Sequence, residues 1–140
     1  MNSRHAVLET EFLERDRFMA VLPEGHRLVE REYVSVSDLC SDPFLMLKKG
    51  ENVEVSEIFE REGVTPQFRF TTWDDYAIMS MVEGGLGISI LPKLILRRVP
   101  YRVVLKELDT PAYRNIGLAM RSKKTASLAA LKFLDYLKYR

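Results

Sequence analysis

The sequence is poor in the residues from which metal and disulfide sites are built: of 140 residues, one is cysteine and two are histidine. Cys40 has no second cysteine to pair with, so an intrachain disulfide framework is excluded, and a buried structural thiol in a reducing compartment is the expected setting. His5 and His26 stand in none of the Cys-x-x-Cys or His-x-x-x-His spacings that hold zinc, so neither a metal site nor a cofactor is expected. Charge of one sign is missing too. Lys and Arg number 21 against 20 Asp and Glu, a net +1, which lacks the basic surplus of a nucleic-acid footprint; direct DNA binding by this chain is not expected. No apolar run approaches the roughly 18 residues that span a bilayer, and Met1 to Thr10 is too polar for a signal segment. The expectation is a soluble, cytoplasmic chain with no membrane partner.

What the chain does contain is an ordinary 46% of hydrophobic residues, enough for one compact domain, arranged as alternating short runs and amphipathic stretches. Arg17-Phe-Met-Ala-Val-Leu22 is nearly continuous and stops at Pro23-Glu-Gly25, as a strand buried on both faces does. Val36, Leu39 and Cys40 behind Ser35 predict a one-turn helix, and Phe44 to Leu47 a second buried strand. Val55, Ile58 and Phe59 fall on one helical face over 52–62, with Asn52 as N-cap and Gly63 as the left-handed C-terminal residue. Gln67 to Thr71 alternates with period two. Thr72 is placed to cap the next helix, with Asp74 and Asp75 at its positive end and Ala77, Ile78, Met81 and Val82 on its buried face. Ile88 to Leu91, Arg102 to Leu105 and Ile116 to Met120 read as further strands. A closing helix from about Thr125 carries Ala130, Phe133, Leu134 and Leu137 on one stripe. Repeated strand-helix alternation implies an α/β fold with a parallel or mixed sheet, because parallel neighbours need a crossover.

Catalytic machinery is not legible in this pattern. No Gly-x-Ser-x-Gly elbow occurs, and His26 sits in a turn directly after a strand, where backbone groups ordinarily satisfy it. Gly84-Gly-Leu-Gly87 follows a helix and precedes a strand, the reverse of a dinucleotide loop, so helix termination and close packing account for it. The chain is therefore not expected to be an enzyme. The informative geometry is a pair of loops, Gly50-Glu51-Asn52 and Thr72-Trp73-Asp74, each joining the carboxyl end of a strand to the amino end of a helix. Ligands of open α/β sheets bind at such ends, and the unpaired N–H groups there favour an anion, although plain helix capping explains the same residues. Trp73 can wall an apolar pocket or lie partly in the core.

Three segments together resemble the effector-binding domain of LysR-type transcriptional regulators: Phe18-Met-Ala-Val-Leu-Pro-Glu-Gly-His-Arg-Leu28, Val36-Ser-Asp-Leu-Cys-Ser-Asp-Pro-Phe-Leu45 and Met81-Val-Glu-Gly-Gly-Leu-Gly-Ile-Ser-Ile-Leu-Pro92. Their order and spacing fit from about Leu13 to Leu137. Arg27 stands where the family usually has proline. The resemblance implies a fold like the type 2 periplasmic binding proteins, with a mixed sheet, helices on both faces, and two subdomains holding an effector in the cleft between them. It makes 24–110 the second subdomain, and 1–23 with 111–140 part of the first, which is incomplete here; the winged helix-turn-helix is also absent. It further implies that Gly50, Glu51, Asn52, Thr72, Trp73 and Asp74 contact a small-molecule effector, which the helix-end N–H groups lead us to expect is anionic. The exposed edges of a cut subdomain imply a homo-oligomer. A stand-alone solute-binding protein of the same fold is the alternative, and the polar N-terminus weighs against it.

Overall fold

The computed structural model describes residues 7–48 and 54–137. Its strands are β1 (Glu9–Pro23), β2 (Tyr33–Val34), β3 (Pro43–Leu47), β4 (Gln67–Thr72), β5 (Ser89–Pro92), β6 (Val103–Leu108) and β7 (Tyr113–Met120), and its α-helices are α1 (Glu54–Arg61), α2 (Asp75–Glu83) and α3 (Leu128–Tyr136). The fold is α/β with a mixed sheet: β2, β6, β1 and β5 lie side by side, β1 running antiparallel to β5 and β6 while β2 and β6 are parallel, and β7 also pairs with β1. β3 and β4 form a parallel ribbon. The ribbon is tied to β5 by Leu45 N–H donating to Ile88 O at 2.8 Å, Ile88 N–H to Pro43 O at 2.9 Å, and the Ser89 hydroxyl to Leu45 O at 2.6 Å.

The contacts divide the chain into two compact units, Asp16–Arg114 and a smaller one made of Met1–Arg15 with Asn115–Arg140. In the larger unit, successive side chains of each strand enter opposite cores, as the pleat requires. Phe18, Ala20 and Leu22 of β1, with Phe44 and Met46 of β3, pack in one cluster with Val55, Ile58 and Phe59 of α1. Met19, Val21, Leu45 and Leu91 pack in the other with Ile78, Met79 and Val82 of α2. The sheet thus carries a helix on each face, which is why its central strands read as unbroken apolar runs. Phe44 and Phe59 meet edge to face, their ring centroids 4.9 Å apart, within the favoured aromatic range.

Gly87 is the tightest point of this unit: a β-carbon there would lie 2.5 Å from the backbone oxygen of Pro43. Gly63 and Gly85, at φ of +65° and +75°, end α1 and α2 in the left-handed region that favours glycine. Ser35 and Asp38 bond reciprocally at the one-turn helix Asp38–Ser41, Asp38 N–H donating to Ser35 Oγ at 3.0 Å and Ser35 N–H to Asp38 Oδ2 at 3.4 Å.

Four expectations are corrected. β1 begins at Glu9 rather than Arg17, because its first residues are held by pairing rather than by burial and so carry no apolar signature. Thr72 does not cap α2. Asp74 does, its Oδ1 accepting from Tyr76 N at 2.9 Å and Ala77 N at 3.3 Å, while Thr72 Oγ1 accepts from Asp74 N at 3.3 Å. On the buried face of α2, Met79 enters the core beside Ile78 and Val82, while Met81 is only partly buried. Finally, α3 starts at Leu128, capped by Ser127, whose hydroxyl accepts from Ala130 N at 3.1 Å. None of its described residues is buried, and Phe133 is 59% exposed. Asn52, expected to cap α1, lies outside the described residues.

Candidate functional site

In the larger unit three ionisable side chains, Glu54, Asp75 and Arg114, meet where strands end and helices begin. Leu47 closes β3 and Pro92 closes β5, while Glu54 and Val55 open α1 and Asp75 opens α2. These residues, with Phe18, Ile95 and Arg114, line a cavity of about 40 Å³. Its walls are apolar apart from Glu54, Asp75 and Arg114. Placement at the carboxyl ends of strands and amino ends of helices is where open α/β sheets bind ligands, and a mostly apolar wall with a few convergent polar groups is the usual chemistry of a small-molecule site.

Arg114 is fixed there by Asp16, which is only 2% exposed. Asp16 Oδ2 accepts from Arg114 Nε at 3.0 Å and lies 2.9 Å from a terminal nitrogen of the same guanidinium, and Asp16 Oδ1 accepts from Leu94 N at 3.0 Å. The carboxylate therefore spans β1, β7 and the turn Lys93–Leu96. Burial of a carboxylate is costly unless it is paired and hydrogen-bonded, and Asp16 meets both conditions. The pairing uses one edge of the guanidinium. Nη1 takes no part in it, so the arginine keeps donors for a guest, on a side chain held by a hydrogen bond and an ion-pair contact to one carboxylate oxygen. A second, wider groove of about 320 Å³ adjoins the cavity through the shared residues Asp75 and Ile95, and its rim carries Tyr76, Arg97 and Arg98.

Of the six residues singled out from the sequence, Thr72, Trp73 and Asp74 stand at this same end of the sheet, one step from Asp75. Asp74 Oδ1 is engaged in capping, Thr72 is half-buried, and Trp73 is 80% exposed, so it is not part of the core. Gly50, Glu51 and Asn52 lie outside the described residues. Asp16 and Arg114 were not foreseen. Asp16 left a signal: it shares a strand face with Phe18, Ala20 and Leu22, and a carboxylate in register with a buried row demands a partner. Glu54, in the first turn of α1, lines the cavity.

Elsewhere the turn residues meet local partners. His26 Nδ1 accepts from Leu28 N at 3.2 Å, and Nε2 lies 3.2 Å from Asp42 Oδ1, off the line of a hydrogen bond. Cys40 is partly rather than fully buried, its Sγ 3.5 Å from Val36 O, and that burial pushes the thiol above its ordinary pKa, so it holds its proton at neutral pH. No group of three or more metal-ligating side chains occurs among the described residues, nor any helix long and apolar enough to cross a membrane.

Residues 2–140 match the family described as the LysR substrate binding domain. The chain is 32% identical over 133 residues to YvbU, an uncharacterized HTH-type transcriptional regulator of Bacillus subtilis, an alignment covering 94% of this chain and 46% of that protein. Among solved structures it is similar to HinK, a LysR family transcriptional regulator from Pseudomonas aeruginosa, at a TM-score of 0.82 and 28% identity, over 99% of this chain and 50% of that one. The CcmR regulatory domain of Synechocystis, solved in complex with 2-PG, shares the fold at a TM-score of 0.81 and 22% identity, over 98% of this chain and 68% of that one. The chain spans about half the length of the regulators it matches.

Proposed function

The chain belongs to the LysR substrate-binding domain family, a family of ligand-sensing domains of transcription regulators rather than of enzymes, and from that premise we propose that its larger unit senses a small anionic metabolite at the cavity bounded by Arg114. The observation that carries this reading is the guanidinium itself: a buried carboxylate orients it, it borders an apolar hollow, and it retains donors. An acid group of the guest completes a charge-assisted pair with it, helped by the positive amino ends of α1 and α2. That domains of the same fold hold small molecules, 2-PG in one and shikimate in another, supports a small-molecule guest. In the proposal Thr72, Trp73 and Asp74 contact the guest from beside this cavity, and Gly50, Glu51 and Asn52 are proposed as further contact residues.

In the same proposal the larger unit corresponds to the family's second subdomain, 24–110, and the smaller unit to part of the first. Sensing then means that the guest shifts a conformational equilibrium by its differential affinity for two arrangements. A role in transcription places the encounter in the cytoplasm. Apolar side chains exposed on the smaller unit favour a homo-oligomer.

The test is a titration of the purified chain with small carboxylates and phosphates, read by the unfolding midpoint and by NMR shifts of amide and arginine Nε–H groups. Binding to the folded state raises the midpoint, and the spectra detect affinities down to the millimolar range, where about 4 kcal/mol of binding remains. One class of acid is expected to move the Arg114 Nε–H resonance, and Arg114→Lys, which keeps the charge but loses the forked geometry, to weaken it about tenfold. Binding of neutral or cationic compounds in preference to every acid overturns the proposal.

A further inference from the structure

The cavity bounded by Arg114 is small for a whole guest. Its volume is about 40 Å³, room for an acid group and little more, whereas pockets that enclose a small molecule measure roughly 300–1,000 Å³. The rest of the guest must lie outside it. The groove that adjoins the cavity through Asp75 and Ile95 measures about 320 Å³ and supplies that volume within the larger unit. Met79, Leu94 and Ile95 give the groove an apolar floor, and Tyr76 and Arg98 stand exposed at its rim. Neither the Tyr76 hydroxyl nor the Arg98 guanidinium has a hydrogen-bond or ion-pair partner among the described residues, whereas Asp75 and Arg97, which also line the groove, are already engaged. A guanidinium offers five donors and no acceptor, so Arg98 selects an acceptor, and an ionised acid above a neutral one. Arg114 borders the cavity, Arg98 borders the groove, and the apolar side chain of Ile95 borders both.

We infer that the effector is an extended diacid: one acid group on Arg114 in the cavity, an apolar middle over Ile95, Leu94 and Met79, and a second acid group at the rim of the groove on Arg98, with the Tyr76 hydroxyl donating to it. The inference rests on the anionic reading above and narrows it, from acids in general to those whose two acid groups are held apart by an apolar spacer. Arg114 then anchors any acid, while Arg98 and Tyr76 set specificity. A monoacid of the same length covers the same floor but leaves Arg98 in water and gains nothing from it.

The experiment titrates the intact chain by NMR with straight-chain dicarboxylates from malonate to suberate, each paired with the monocarboxylate of the same number of carbons, so that differences in hydrocarbon burial largely cancel. Beyond a threshold spacer length the diacid is expected to bind about fivefold more tightly than its paired monoacid, the upper end for an exposed charge pair. Malonate, whose two acid groups are separated by a single carbon, is expected to show no such preference. Arg98→Gln, a change at an exposed side chain, is expected to bring each long diacid down to the affinity of its monoacid, and Tyr76→Phe to remove a smaller part of the gap; amide spectra of both variants are compared with the parent's to establish that the fold is kept. Equal affinity of diacid and monoacid at every length, a preference already complete at malonate, or a gap that survives Arg98→Gln overturns this inference and leaves the anionic reading intact. Absence of binding by every acid overturns both.

Discussion

β1 is exposed from Glu9 to Phe12 and wholly buried from Phe18 to Leu22, and the boundary between the two compact units crosses it at Asp16. In the larger unit, both faces of the strand meet a helix and the apolar residues divide between two cores. In the smaller unit the apolar residues are present but uncovered: Phe12 is 64%, Leu128 83%, Phe133 59% and Tyr136 73% exposed. Apolar patterning decides which face a residue presents, whereas burial requires something to present it to. α3 illustrates this, since its Ser127 cap forms while its apolar stripe stays open.

The largest effects should separate the two units directly. Phe59→Ala removes a fully buried ring that meets Phe44 edge to face and should destabilise the chain by about 3–5 kcal/mol in urea unfolding, whereas Phe133→Ala should change stability by no more than about 0.5 kcal/mol. In sedimentation velocity, Phe133→Ala should instead shift the chain toward smaller species. A comparable loss of stability from both would show that α3 has a buried face after all, and the comparison would collapse.

Within the larger unit, Gly87 and Gly84 are close in sequence but differ in surroundings. A β-carbon at Gly87 meets the Pro43 backbone at 2.5 Å, whereas at Gly84 it meets Ser80 O at 3.4 Å with φ at −72°. Gly87→Ala should therefore cost about 1–3 kcal/mol as the β3–β5 junction is forced apart, and Gly84→Ala should be close to neutral. Thermal unfolding of the two variants checks the contrast. Asp74→Ala should then cost about 1 kcal/mol as the lost cap of α2. Thr72→Ala should cost less, because its hydroxyl only supports the loop, and ligand titration of the same variant reports whether it also touches the guest.

Much of this unit was legible because period and punctuation agree: the faces of β1, β3 and α1 follow from alternate apolar residues and from helical spacing, and Gly63 and Gly85 end their helices as their positions suggest. The errors fell where pairing or capping acts without apolar contrast. Nothing in Glu9 to Arg15 marks a strand, since the partner that holds it lies a hundred residues away in β7. Thr72 and Asp74 are both competent caps, and only the backbone decides between them. The site was half legible. Loop position pointed to the end of the sheet where the candidate cavity lies, but Asp16 and Arg114 are 98 residues apart, and no local pattern joins them.

The smallest effect concerns the reciprocal Ser35–Asp38 turn, a structural part of the larger unit remote in sequence from the cavity residues. The Ser35 hydroxyl first, then its backbone N–H and the charges of Arg31 and Arg27, hold the Asp38 carboxyl below its ordinary pKa against the opposing effect of partial burial. A depressed folded value means that the ionised form stabilises the fold. This contribution is full above the unfolded pKa, near 3.9 for aspartate, and is lost as pH falls through the folded value. Ser35→Ala removes both the bond to Asp38 N, which does not depend on pH, and part of the stabilisation of the carboxylate, which does. At pH 7 the variant should be about 0.5–1.5 kcal/mol less stable. Below about pH 3 that deficit should narrow to the pH-independent part. A deficit that stays constant from neutral to acid would mean that the Ser35 hydroxyl acts only through the Asp38 N–H, and that the depressed titration comes from the Ser35 backbone N–H and the arginines.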